Sequence, residues 1–161
     1  MKYFSGFCLK NESVLFKDYL EEGEFVVAGF SYGAQKALDY VLNSSKRIDK
    51  LQLLSPAFFD YPPKIIEINL KAFRNDKKRY IENFFKKAGY FNEKFLGECT
   101  EEDLKRLFTY DWEKIKDLKG VKIEIFLGEF DKITSLKKAH GFFKNFGDVY
   151  LIKKANHFLR S

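Results

Sequence analysis

Gly29-Phe30-Ser31-Tyr32-Gly33 is the stretch that most limits what this chain can become, because it follows the apolar run Phe25-Val26-Val27-Ala28 and opens into a segment with helical spacing. A G-x-S-x-G pattern between a strand and a helix forces a tight turn whose ends call for residues without a side chain. The Ser31 hydroxyl then stands at the carboxyl edge of a sheet with the next backbone amides behind it, where it can attack a carbonyl carbon. A glycine-rich strand-to-helix turn with no chemistry is the alternative that the pattern alone leaves open.

Around this turn, short apolar runs alternate with helical segments. Residues 1–4 read as a short strand and 5–10 as a loop, with Asn11 capping a helix whose stripe is Val14, Leu15, Tyr19 and Leu20. Strands are expected at 25–29, 51–54, 121–127 and 149–152, with a helix at 32–43. Strands alternating with helices imply an α/β fold with a mostly parallel sheet. From 60 to 117 the pattern changes: Ile66, Leu70 and Phe73 form one helical stripe, Ile81, Phe84 and Phe85 another, and Thr100 with Asp103 marks a helix start. This segment is expected to be a helical insertion between the third and fourth strands, packed over the carboxyl edge of the sheet as a cap. At 161 residues and 45% hydrophobic content, the chain fits one domain. The few crossovers would leave one sheet face poorly covered, a face that a homodimer would bury.

A nucleophilic serine needs a base, and the chain contains only His140 and His157. His140 lies in a lysine-rich amphipathic helix and reads as a solvated or packed helix residue. His157 follows the last strand, where a sheet-edge loop would bring it beside Ser31. In the order serine, acid, histidine, the acid falls just past the strand before the histidine, which selects Asp131 in Gly128-Glu129-Phe130-Asp131-Lys132-Ile133, with Glu129 as its nearest rival. The Asp131 carboxylate would hold His157 in the tautomer able to accept the Ser31 proton. Tyr32, the residue after the serine, would supply one oxyanion amide, and Phe7, freed by Gly6 to approach the substrate, the second. An ordinary strand-ending turn is the alternative for Ser5-Gly6-Phe7-Cys8. Phe7, Tyr32 and Phe58 are candidates to line an apolar pocket, core packing being the other role open to Phe58.

The formal charge of +6 favours an acidic partner. No nucleic-acid recognition motif accompanies it, no apolar run is long enough to cross a bilayer, and the first residues lack the apolar core of a signal peptide, so a cytoplasmic protein is expected. Cys8 and Cys99 show no metal-ligand spacing and are expected to remain thiols in a reducing compartment.

Several segments together resemble the α/β-hydrolases, and more narrowly the BioV-type pimeloyl-acyl-carrier-protein methyl ester esterases of biotin synthesis. They are Phe4-Ser5-Gly6-Phe7, Asn11-Glu12-Ser13-Val14-Leu15-Phe16, Gly29-Phe30-Ser31-Tyr32-Gly33-Ala34, Leu54-Ser55-Pro56, Gly120-Val121-Lys122-Ile123-Glu124 and Asn156-His157. The resemblance implies a reduced α/β-hydrolase fold with Ser31 as nucleophile, Asp131 as acid and His157 as base, acting without metal or organic cofactor. It departs from larger hydrolases in having Ser5-Gly6 where those carry a His-Gly pair. The implied substrate is an ester borne by an acyl carrier protein. Such carriers are acidic, and the region from Lys64 to Lys87 holds eight basic residues against three acidic ones. On one continuous helix Lys64, Lys71, Arg74 and Lys78 would share a face able to dock the carrier.

Overall fold

A computed structural model describes residues 1–161. Five strands, β1 (Lys2–Phe4), β2 (Val26–Phe30), β3 (Lys50–Leu54), β4 (Lys122–Gly128) and β5 (Asp148–Ile152), form one sheet in the order β1-β2-β3-β4-β5. Every neighbouring pair is parallel, with Gly29 opposite Leu53 and Leu53 opposite Ile125. The strands lie within a residue or so of their expected limits, because β2, β3 and β4 are nearly continuous apolar runs, as strands covered on both faces require.

Side chains alternate across the sheet and so feed two cores. Val27, Leu51, Leu53, Ile123, Ile125 and Leu127 face helices α1 (Tyr32–Asn43) and α5 (Leu136–Phe143), meeting Leu38, Val41, Ala139 and Phe143. Phe30, Leu54 and Phe126 enter the other core with Phe16 and Phe158. The face that sequence reading left bare is closed from within the chain. Phe16 packs on Phe30 and Tyr19 on Phe126, while further along the face Gln52 bonds the Tyr19 carbonyl (3.0 Å) and Glu124 (2.9 Å).

Two local expectations change. The segment after Asn11 is a single 3-10 turn over Glu12–Phe16, and Asn11 sits at φ 59° with no side-chain capping bond. Glu12 turns inward to bond the Gly6 amide; of the expected stripe, Leu15, Tyr19 and Leu20 pack against the core around Phe16, and Val14 is left exposed. Cys8 and Cys99 are joined as a disulfide, 91 residues apart, which overturns their reading as thiols. Only the fold brings the loop after β1 against the chain leading into α4 (Glu101–Thr109), a meeting that sequence spacing cannot show.

Residues 60–117 contain α2 (Pro63–Asn75), α3 (Lys77–Ala88), α4 and short 3-10 turns at Glu93–Phe95 and Trp112–Asp117, without a strand. Thr100 and Asp103 cap α4 reciprocally. These elements reach the sheet at its carboxyl edge. The Tyr32 hydroxyl donates to Asp103 (3.0 Å), Gln35 Nε2 donates to the Leu107 carbonyl (3.0 Å), and Phe7 packs on Phe73 and Phe84. No helix is long and apolar enough to cross a membrane.

Candidate active site

Ser31 joins β2 to α1 at φ 56°, a conformation that L-residues hold only when the surroundings impose it. The glycines of the motif explain how. A β-carbon on Gly29 would overlap the Gly33 carbonyl, and one on Gly33 would overlap the Phe4 carbonyl, so the turn closes only where both side chains are absent. The Ser31 amide bonds the Leu54 carbonyl (2.9 Å) and its carbonyl accepts from Ala57 (3.1 Å), locking the turn to the end of β3.

Two loops deliver the partners. Past β4, the Phe130 amide bonds the Ala155 carbonyl (2.8 Å) and Glu129 bonds Ile152 (3.0 Å), so the Asp131 and His157 loops run side by side. Gly128 is required here because a β-carbon would strike the Asn156 carbonyl. His157 Nε2 lies 2.9 Å from Ser31 Oγ and its Nδ1 lies 2.7 Å from Asp131 Oδ2. Asp131 Oδ1 also accepts from the amides of Ile133 (2.7 Å) and Thr134 (3.2 Å), and Oδ2 from the Thr134 hydroxyl (3.2 Å). Burial alone would raise the Asp131 carboxyl. The adjacent His157 and these hydrogen bonds outweigh it and hold the group below its usual value.

The chain Asp131–His157–Ser31 is dry: Ser31 is 2% exposed, and the His157 and Asp131 side chains 1% and 3%. A serine hydroxyl, an imidazole and a carboxylate in that sequence can move the serine proton to His157 as the oxygen attacks and stabilise the imidazolium that forms. Tyr32 and Phe7 are neighbours, with rings 6.4 Å apart, and neither amide donates within the turns and loops of the protein. Glu129 is committed elsewhere, accepting from the Lys154 amide (2.8 Å), and His140 is exposed on α5.

Other candidates fall differently. Phe58 packs on Phe142 and Phe143, away from Ser31. Tyr32 is buried, with burial and then Asp103 raising its hydroxyl to about 12. A cavity of about 240 Å³ lies between α2, α3 and the Asp131 loop, with Tyr80, Phe84, Phe108 and Ile133 in its wall. Phe84 separates it from Phe7, and Ser31 itself lines none of the main cavities. Lys64, Lys71, Arg74 and Lys78 are all exposed, but they do not share one helix. The chain breaks at Asp76 (φ −154°), whose side chain caps α3, and Arg74 is held by Glu101 (2.6 Å) and Glu67 (3.7 Å).

The sequence assigns no role to Thr134, Asn156 or Glu12, although the last two stand in the segments quoted above. Asn156 Oδ1 accepts from the Phe158 (2.8 Å) and Arg160 (3.3 Å) amides and so shapes the turn that presents His157. Thr134 three residues after Asp131 was the one local sign of a carboxylate held by its own loop.

No family model and no curated protein sequence matches the chain. Solved structures do. An esterase, EaEST, from Exiguobacterium antarcticum superimposes with a TM-score of 0.65 at 20% identity over 82% of this chain and 59% of its own. MenH from S. aureus gives 0.62 at 14% identity, covering 96% of this chain and 85% of that one, and BioG from Haemophilus influenzae 0.62 at 13%, covering 97% and 87%. The chain thus spans under two thirds of the esterase's length and most of the other two. The shared architecture is the α/β-hydrolase fold.

Proposed function

We propose that this chain is a serine carboxylesterase, and that its substrate is the methyl ester of pimeloyl-acyl-carrier protein. The hydrogen-bonded chain from Ser31 through His157 to Asp131, at a strand-to-helix turn, carries the hydrolase reading. Ser31 Oγ attacks the ester carbonyl while His157 Nε2 takes its proton. The oxyanion is received by the amides of Tyr32 and Phe7, and methanol leaves with the proton returned by His157. Water, deprotonated by His157, then releases the carboxylate and restores Ser31.

The segments quoted from the sequence support the narrower substrate, and so does the surplus of lysines on α2 and α3, which would cap the site and meet an acidic carrier. Ser31 is 2% exposed and lines none of the main cavities, so side chains at the site must move for an ester to reach it. A broader carboxylesterase or thioesterase would use the same three residues and differ at the cap. Relative rates on methyl pimeloyl-carrier protein and on short aryl esters decide between them. Preference for the carrier-bound ester supports the narrow reading, and faster turnover of the aryl esters sinks it.

A further inference from the structure

Glu12 is wholly buried, at 0% exposure, in a position the chemistry above does not use. Its Oε1 accepts from the Gly6 amide (2.9 Å) and the Tyr3 hydroxyl (2.8 Å), while Oε2 has no partner. Burying a carboxylate costs several kcal/mol unless its bonds return it, and here one oxygen carries both bonds. Packing alone would be better served by an apolar side chain.

What the carboxylate holds is the glycine of the loop after β1. Gly6 has access to conformations closed to other residues. Glu12 fixes the peptide unit on its N-terminal side, and the Leu9 amide, bonding the Gly6 carbonyl (3.1 Å), fixes the unit on its C-terminal side. That second unit carries the Phe7 N–H, which in a planar trans peptide points opposite to the Gly6 carbonyl. The loop lies against the first turn of α1, since the Phe4 and Ser5 carbonyls crowd the Gly33 α-carbon. Burial, reinforced by Glu12, pushes the Tyr3 hydroxyl well above its usual range, so it remains a donor.

We propose that Glu12 is a positioning residue for the oxyanion hole, fixing Gly6 so that the Phe7 amide faces the oxygen of the tetrahedral intermediate. The proposal rests on the esterase reading with Phe7 as donor. It makes the position of the acceptor decisive and its charge secondary.

Steady-state hydrolysis of a short aryl ester, with rates referred to active sites titrated by a fluorophosphonate, separates these. Glu12→Asp withdraws the acceptor by roughly one carbon–carbon bond, about 1.5 Å, and kcat should fall about ten-fold, less than the roughly 100-fold or more for deleting an oxyanion donor, with KM within about three-fold. Glu12→Gln keeps an oxygen at the Oε1 position and should stay within about three-fold of wild type. Tyr3→Phe removes the other donor, lowers the melting temperature and keeps kcat. Wild-type kcat in Glu12→Asp, or an equal loss in Glu12→Gln or Tyr3→Phe, overturns the role of Glu12. Absence of Ser31-dependent hydrolysis in the wild-type protein, by contrast, would remove the esterase reading itself.

Discussion

His157 Nε2 sits 2.9 Å from Ser31 Oγ across 126 residues of chain, and neither side chain is more than 2% exposed. A polar pair so deeply buried needs its remaining hydrogen-bonding capacity met, and Asp131 meets it at Nδ1. Asp131→Asn should therefore lower kcat by about 10⁴-fold through the wrong histidine tautomer while the protein still folds. A stopped assay on an aryl ester reads this, and a loss under ten-fold would deny Asp131 the role.

The same carboxylate makes stability depend on pH. Its folded-state pKa lies below its unfolded value, near 3.9, so its contribution is complete above that pH and is lost as pH falls through the folded value. Melting temperatures of wild type and Asp131→Asn should differ most near neutrality, and the gap should begin to narrow only as pH falls below about 4. A constant gap between pH 3 and 7 would contradict this.

Gly33→Ala should be costly although the substitution adds one methyl group to a helix. The added carbon overlaps the Phe4 carbonyl, which is backbone and cannot rotate away, so a loss of about 3 kcal/mol, the upper end for overpacking, is expected in urea unfolding. An unchanged midpoint would mean that the turn and the loop after β1 are not in contact.

The Cys8–Cys99 bond closes a long loop and ties the loop after β1 to the chain leading into α4. Loop-closure entropy assigns a bridge of this span about 4–5 kcal/mol. Cys99→Ser should lower the melting temperature, and thiol titration of the denatured, unreduced protein should find no free thiol. Two titratable thiols would remove the bridge.

Carrier docking is tested best without Arg74, because reversing it also breaks its pairs with Glu101 and Glu67. Lys71→Glu with Lys78→Glu should raise KM for the carrier-bound ester, and added salt should do so in the wild type, while a small ester is unaffected. Equal effects on both substrates would place the interaction elsewhere.

The residues that local pattern can identify were legible. The apolar runs of β2, β3 and β4 and the Thr100–Asp103 cap depend on neighbours a few residues away, and the order of Ser31, Asp131 and His157 along the chain could be read directly. Three features were not, two of them because they depend on distant partners. Glu12 looks like a surface residue until the Gly6 amide is placed beside it, and Cys8 has no visible relation to Cys99. The break at Asp76 hides within a strongly helical run, because a capping aspartate and a helix-interior aspartate read alike. Of the two roles open to Phe58, pocket wall and core packing, it takes the second, against Phe142 and Phe143.

Intact-mass analysis after treatment with a fluorophosphonate tests the central claim most directly, since the reagent phosphonylates a serine only when a base and an oxyanion hole activate it. One adduct per chain, mapped to Ser31 and absent from both Ser31→Ala and His157→Ala, is the predicted result. An unmodified wild-type protein, or an adduct that persists in Ser31→Ala, would contradict the account.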